Sequence, residues 1–146
     1  MQSSGYLRTL DVPDGDTTFK AYMDYRTITD TSSKQWELQQ AAYTGEYGIR
    51  EIGGRYCVAI GTGYGVGLGE ELTVTLDSGK QFDVIVSDIK MDIHTDETCR
   101  YTPMTEGRKN VLEFIVHDDY LHEHSKLTGN LNHILKGNIE EMSYVK

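Results

Sequence analysis

Residues 72–86 alternate with a period of two. Leu72, Val74 and Leu76 are separated by Thr73 and Thr75, and Phe82, Val84 and Val86 follow after Asp77-Ser78-Gly79-Lys80. This period suits an extended chain with one buried face, because successive side chains of a strand point to opposite sides. With a turn signal between the two runs, the stretch reads as a β-hairpin. Before it, Tyr56-Cys57-Val58-Ala59-Ile60 is a continuous apolar run bounded by glycines, which suits a strand buried on both faces. Between the two, Gly61, Gly63, Gly65, Gly67 and Gly69 alternate with Thr62, Tyr64, Val66 and Leu68. That segment reads as a loop. It lacks the spacing and the following helix of a dinucleotide fingerprint.

The rest of the chain extends the β pattern. Residues 1–18 are polar with a turn at Pro13-Asp14-Gly15, and read as an arm or a weak first strand. The domain proper is then expected over 19–146. Phe19 to Thr29 reads as a strand. Ser32-Ser33-Lys34-Gln35 fits a capping box opening a short helix through Trp36, Leu38, Gln39 and Ala42. Val111–Val116 and Ile139–Val145 read as further strands. Leu127, Leu131, Ile134 and Leu135 have helical spacing interrupted by Gly129. Many short strands with one or two helices predict a mainly β domain, specifically a small barrel.

The chain has 146 residues, enough for a core without staples, and a formal net charge of −9. That charge, with no basic stripe, disfavours nucleic-acid phosphates and anionic membranes as partners. Glycans are one class it accommodates. No apolar run is long enough to span a membrane, and the N-terminus lacks the layout of a signal peptide. Cys57 and Cys99 lack zinc-site spacing. Cys57, inside an apolar run, reads as a buried free thiol.

Two places could carry chemistry. In Ser87-Asp88-Ile89-Lys90-Met91-Asp92-Ile93-His94-Thr95-Asp96, an extended chain would put Asp88, Lys90, Asp92, His94 and Asp96 on one face and Ile89, Met91 and Ile93 on the other. Val84 and Val86 share the parity of Asp88 but are apolar, so the chain must bend or bulge near Ser87–Asp88. A solvated edge strand would carry the same charges. The second place is Glu113, inside Val111-Leu112-Glu113-Phe114-Ile115-Val116. Leu112, Phe114 and Val116 would face the core. Glu113 would sit beside Val111 and Ile115, where desolvation raises a carboxyl pKa toward that of a general acid. His94 and Asp96 invite a metal reading, with Asp92 as helper and His117, His122 or His124 as remote ligands. His122-Glu123-His124 is not the zincin motif, however, and His94 reads better as a neighbour that orients a carboxylate. No metal or other cofactor is expected.

The order of these features resembles a known group. A buried strand ending in Val58-Ala59-Ile60-Gly61 precedes a glycine-led strand from Gly69 to Leu76, an Asp-Ser-Gly-Lys turn, a strand closing in Val86-Ser87-Asp88, and a late strand bearing Glu113. This is similar to the double-psi β-barrel of the barwin-like superfamily. That group includes the three-aspartate (3D) domain, lytic transglycosylase A, rare lipoprotein A, expansins and family 45 endoglucanases. The segments Arg55–Gly61, Asp88–Asp96 and Glu113–Val116 resemble more closely the cell-wall or 3D-like domains of Firmicutes and their phages. The resemblance implies a six-stranded barrel over roughly 19–145, with the late-strand acid role falling on Glu113 and the strand-closing acid on Asp88. The family's Asp-x-Gly after that strand is replaced by Asp-Ile-Lys, and the late acid is Glu instead of Asp.

Two expectations stay open. In the first, the domain is a peptidoglycan lytic transglycosylase or glycosidase. Glu113 is then the acid, Asp88, Asp92 or Asp96 the base or stabiliser, Lys90 and His94 the tuning groups, and Tyr64 and Tyr101 the rings that stack on sugars. In the second, the same groove binds glycan without cleaving it, as part of a phage-tail or cell-envelope assembly. Both imply an extracellular, cell-wall or virion-associated location.

Overall fold

The structure, a computed structural model, describes residues 7–145. Its strands are β1 (Leu7–Leu10), β2 (Tyr22–Asp24), β3 (Tyr43–Thr44), β4 (Arg50–Ile52), β5 (Arg55–Ile60), β6 (Glu71–Leu76), β7 (Gln81–Ile89), β8 (Thr102–Pro103), β9 (Lys109–Asn110), β10 (Glu113–Val116) and β11 (Ile139–Val145). The helices are α1 (Lys34–Gln40) and α2 (Glu123–Thr128), with several single 3-10 turns. The protein is mainly β, as the patterning predicts.

The main sheet is mixed and runs β1-β11-β6-β7-β5-β10-β2. β5 and β7 are parallel, as are β10 and β2, and the other pairs are antiparallel. The hairpin β6–β7 forms where the alternation places it, with Leu72 opposite Val84 and Val74 opposite Phe82. β4 shares one edge of β5 with β10, and β8–β9 is a separate two-stranded ribbon.

The sheet is open, ending in β1 on one side and β2 on the other, so it is not a closed barrel. One cause lies in the Phe19–Thr29 segment, expected as a full strand. Asn130 and Asn110 side chains accept the backbone N–H groups of Lys20 and Ala21. Asp24 accepts from the Arg26 backbone and guanidinium and turns the chain into a 3-10 turn at Tyr25–Thr27. Side-chain partners thus replace the ladder, and β2 is left three residues long. At the other end, β1 pairs with β11, so the N-terminal segment contributes a strand.

The sheet has two buried faces. Val58, Val84, Val86, Phe114 and Val116 join the main core with Leu72, Val74, Leu76 and Leu112. Cys57, Ile85 and Ile115 point the other way, into a smaller cluster with Tyr25, Ile28 and Ala42. The helix α1 lies beside β7. It starts one residue later than the expected box: Ser33 caps it by accepting from the Trp36 N–H. Cys57 is a buried free thiol, pushed up in pKa by its burial. Gly129 takes a left-handed φ of 65° and ends α2, which leaves Leu127 exposed instead of in the expected helical stripe.

Candidate functional site

The phase change near Ser87 is a β-bulge. Val58 pairs with Val86, but Ala59 pairs with Asp88, so Ser87 is the extra residue, buried and donating to the Ile85 carbonyl at 3.3 Å. Without it, Asp88 would follow Val86 into the main core. With it, Asp88 turns to the opposite face. On the other side of β5, Glu113 pairs with the same Ala59. Asp88, Ala59 and Glu113 therefore form one row across three strands. Two strand spacings put the Cα atoms of the acids roughly 10 Å apart, with a single methyl group between them.

This row floors a cleft of about 380 Å³ that Lys90, Met91, His94 and Thr102 also line. Asp88 Oδ1 accepts the Ile89 N–H at 2.9 Å and Gln35 Nε2 of α1 at 3.3 Å. Lys90 is 8% exposed. Its Nζ donates to Thr102 Oγ1 at 3.1 Å and to the Asn110 carbonyl at 2.8 Å. Burial lowers the Lys90 pKa to about 8, although Glu113 and Asp96 pull it upward. Glu113 is half-buried, and its carboxyl has no hydrogen bond or ion pair among the described residues. Burial pushes its pKa up, Lys90 and His94 draw it part of the way back, and Asp88 adds to the rise.

The other expected site residues lie elsewhere. The polar ladder does not continue as a strand. β7 ends at Ile89, and Asp92–His94 is a 3-10 turn. Met91 and Ile93, expected on the face opposite the polar residues, are 64% and 81% exposed. Asp92 is exposed and accepts from Thr62 Oγ1 at 2.6 Å. Asp96 folds back into its own loop and accepts from the Thr98 hydroxyl and from the N–H groups of Thr98, Arg100 and Tyr101. Against the cost of its burial, these bonds hold its carboxyl down at about 2. Asp96 is thus a loop organiser outside the cleft.

Neither expected stacking ring lines the cleft. Tyr64 is buried in the main core with its hydroxyl donating to the Arg100 carbonyl at 2.8 Å. Tyr101 is half-buried under Lys109 Nζ, which lies 5.1 Å from its ring centre. Two of the loop glycines explain why the Tyr64 segment sits so deep. A methyl group on Gly61 would fall on the Cys99 carbonyl oxygen, and one on Gly63 on the Thr98 carbonyl oxygen. Among the described residues, no three His, Cys, Asp or Glu side chains converge as a metal site. Ala59, Gln35 and Thr102 are cleft or supporting residues that the sequence reading missed. Only Ala59 carried a signal, as the one small side chain in a bulky strand.

No family model matches the chain, and neither a curated protein nor a solved structure matches it. Among the described residues no helix is long and apolar enough to cross a membrane.

Proposed function

We propose that the β7–β5–β10 cleft is an acid–base site that cleaves a glycosidic bond in a cell-wall glycan, with Glu113 as the proton donor. The carrying observation is the placement of Glu113: a half-buried carboxyl with raised pKa and no partner of its own, facing Asp88 over Ala59. A protonated acid of this kind can donate to the oxygen of the leaving sugar. Asp88 then stabilises the positive charge that develops on the sugar ring. Once Glu113 is a carboxylate it takes a proton back from a sugar hydroxyl or from water, and until then the nearby Lys90 ammonium balances its charge. The order of the β5 strand, the β6–β7 hairpin and the acid-bearing β10 supports kinship with the barwin-like group and a place at a cell wall or virion.

A second reading keeps the cleft as a glycan-binding surface of a phage-tail or cell-envelope assembly. It is favoured by the two hydrogen bonds on Asp88 Oδ1, which tie that oxygen to Ile89 and to Gln35 of α1 instead of leaving it free to meet a reacting sugar. Incubation with purified peptidoglycan separates the readings. Muropeptides released by the protein and not by Glu113→Gln support cleavage. Anhydro ends identify a lytic transglycosylase and reducing ends a hydrolase. Sedimentation with cell walls and no product from either protein supports binding alone and overturns the enzyme.

A further inference from the structure

The cleft does not end at Asp88. That residue also lines a second hollow of about 380 Å³ beside Ser33 and Gln35 at the start of α1. This hollow shares Ile28 and Thr29 with a third, of about 430 Å³, lined by Tyr25, Trp36 and Gln40. Neighbouring hollows share lining residues, Asp88 between the first two and Ile28 and Thr29 between the second and third, and the Gln35–Asp88 hydrogen bond links helix and strand. Trp36, the only tryptophan in the chain, is half-buried there, and its indole N–H has no hydrogen bond among the described residues.

We infer that these hollows are one trough that holds a neutral, polyhydroxylated chain several units long, with the acids at one end and Trp36 at the other. This rests on the glycan reading above and extends it from a bond to a polymer. Beyond Asp88 the walls are mostly threonine, serine and glutamine with two aromatic rings. Hydroxyls and amides supply donors and acceptors without net charge, and an aromatic face suits the apolar side of a sugar ring. A charged polymer finds little there: Arg26 is already paired with Asp24, and Asp30 with Ser32. The length of the trough, not the acid pair, then sets the preference for long chains.

The test uses Glu113→Gln, so that no probe is consumed, and β-1,4-linked N-acetylglucosamine oligomers of two to six units. Binding is followed by Trp36 fluorescence and by calorimetry. The six-unit oligomer is expected to bind about tenfold tighter than the dimer and to shift the Trp36 emission, which the dimer does not. Thr29 is exposed, so Thr29→Arg fills the middle of the trough without disturbing the core. It should reduce the long oligomer to the affinity of the dimer and silence the emission change. Equal affinities with unmoved emission overturn the trough even if the wild-type protein cleaves peptidoglycan. No binding of any oligomer overturns it too. Length-dependent binding with the Trp36 response supports the trough even if no cleavage is found, in which case the cleavage reading alone fails.

Discussion

Lys20 and Lys90 are both buried, both without an ion pair among the described residues, and both lowered by burial to a pKa of about 8. Their surroundings differ. Lys20 is 0% exposed, and its Nζ is held by the Thr18 and Gly137 carbonyls and by Asn132 Oδ1. It ties the segment before β2 to the loop before β11. Lys90 has two acceptors and lines the open cleft, where its charge acts on Glu113. A perturbed pKa alone therefore does not mark a site. Access to a cleft and a second titrating group do.

The largest effect that would sharpen this contrast is on Glu113 itself. Glu113→Gln should lower muropeptide release at least about a hundredfold. It should not lower the melting temperature at pH 7. The folded state raises the pKa of this acid, so its contribution to stability is complete below the unfolded value and is lost as pH rises through the folded one. Wherever Glu113 is charged in the folded protein, that charge is a burden that Gln removes. A variant that lost activity by unfolding would break the contrast.

Next in size, Lys20→Met should cost about 2 kcal/mol of unfolding free energy, because three half-buried acceptors lose their donor. Release per folded molecule should be unchanged, as measured on the soluble fraction after denaturant titration.

Lys90→Met should instead act on the pH profile. A general acid works while protonated, so release falls as pH rises through the pKa of Glu113. Removing the cation that lowers that pKa moves the falling limb to higher pH. If Lys20→Met moved the limb and Lys90→Met did not, the assignment of roles would be reversed.

The smallest effect is shared by both lysines. Between pH 8 and about 10, the unfolded chain keeps lysine protons that the folded chain has shed, so stability rises with pH in that window. Melting temperatures between pH 8 and 9.5 should show a positive slope in the wild type and a smaller one in either lysine variant.

Much of the fold was legible because period two is a strong signal. The β6–β7 hairpin follows from unbroken alternation, and the break at Ser87 from the change of parity after Val86. The bulge was readable because Val86 and Asp88 cannot share a core face. The path of the polar ladder just beyond Lys90 was not readable. Asp96 bonds locally to the Thr98–Tyr101 loop and Asp92 to the distant Thr62, and such side-chain bonds compete with an extended backbone without altering the hydrophobic pattern. Asp24 shortens β2 in the same way. Nor does a sequence state which strands are neighbours. The row Asp88–Ala59–Glu113 joins residues far apart in the chain through two pairings, and the approach of α1 to Asp88 is a matter of packing.

On the proposed reading, burial and Lys90 together set Glu113 as a proton donor. The most direct measurement is a carbon-detected NMR titration of the Glu113 carboxyl in the wild type, Lys20→Met and Lys90→Met. The expected result is a pKa above the ordinary glutamate value in the wild type, the same value in Lys20→Met, and a higher one in Lys90→Met. An ordinary value that neither substitution moves would contradict it.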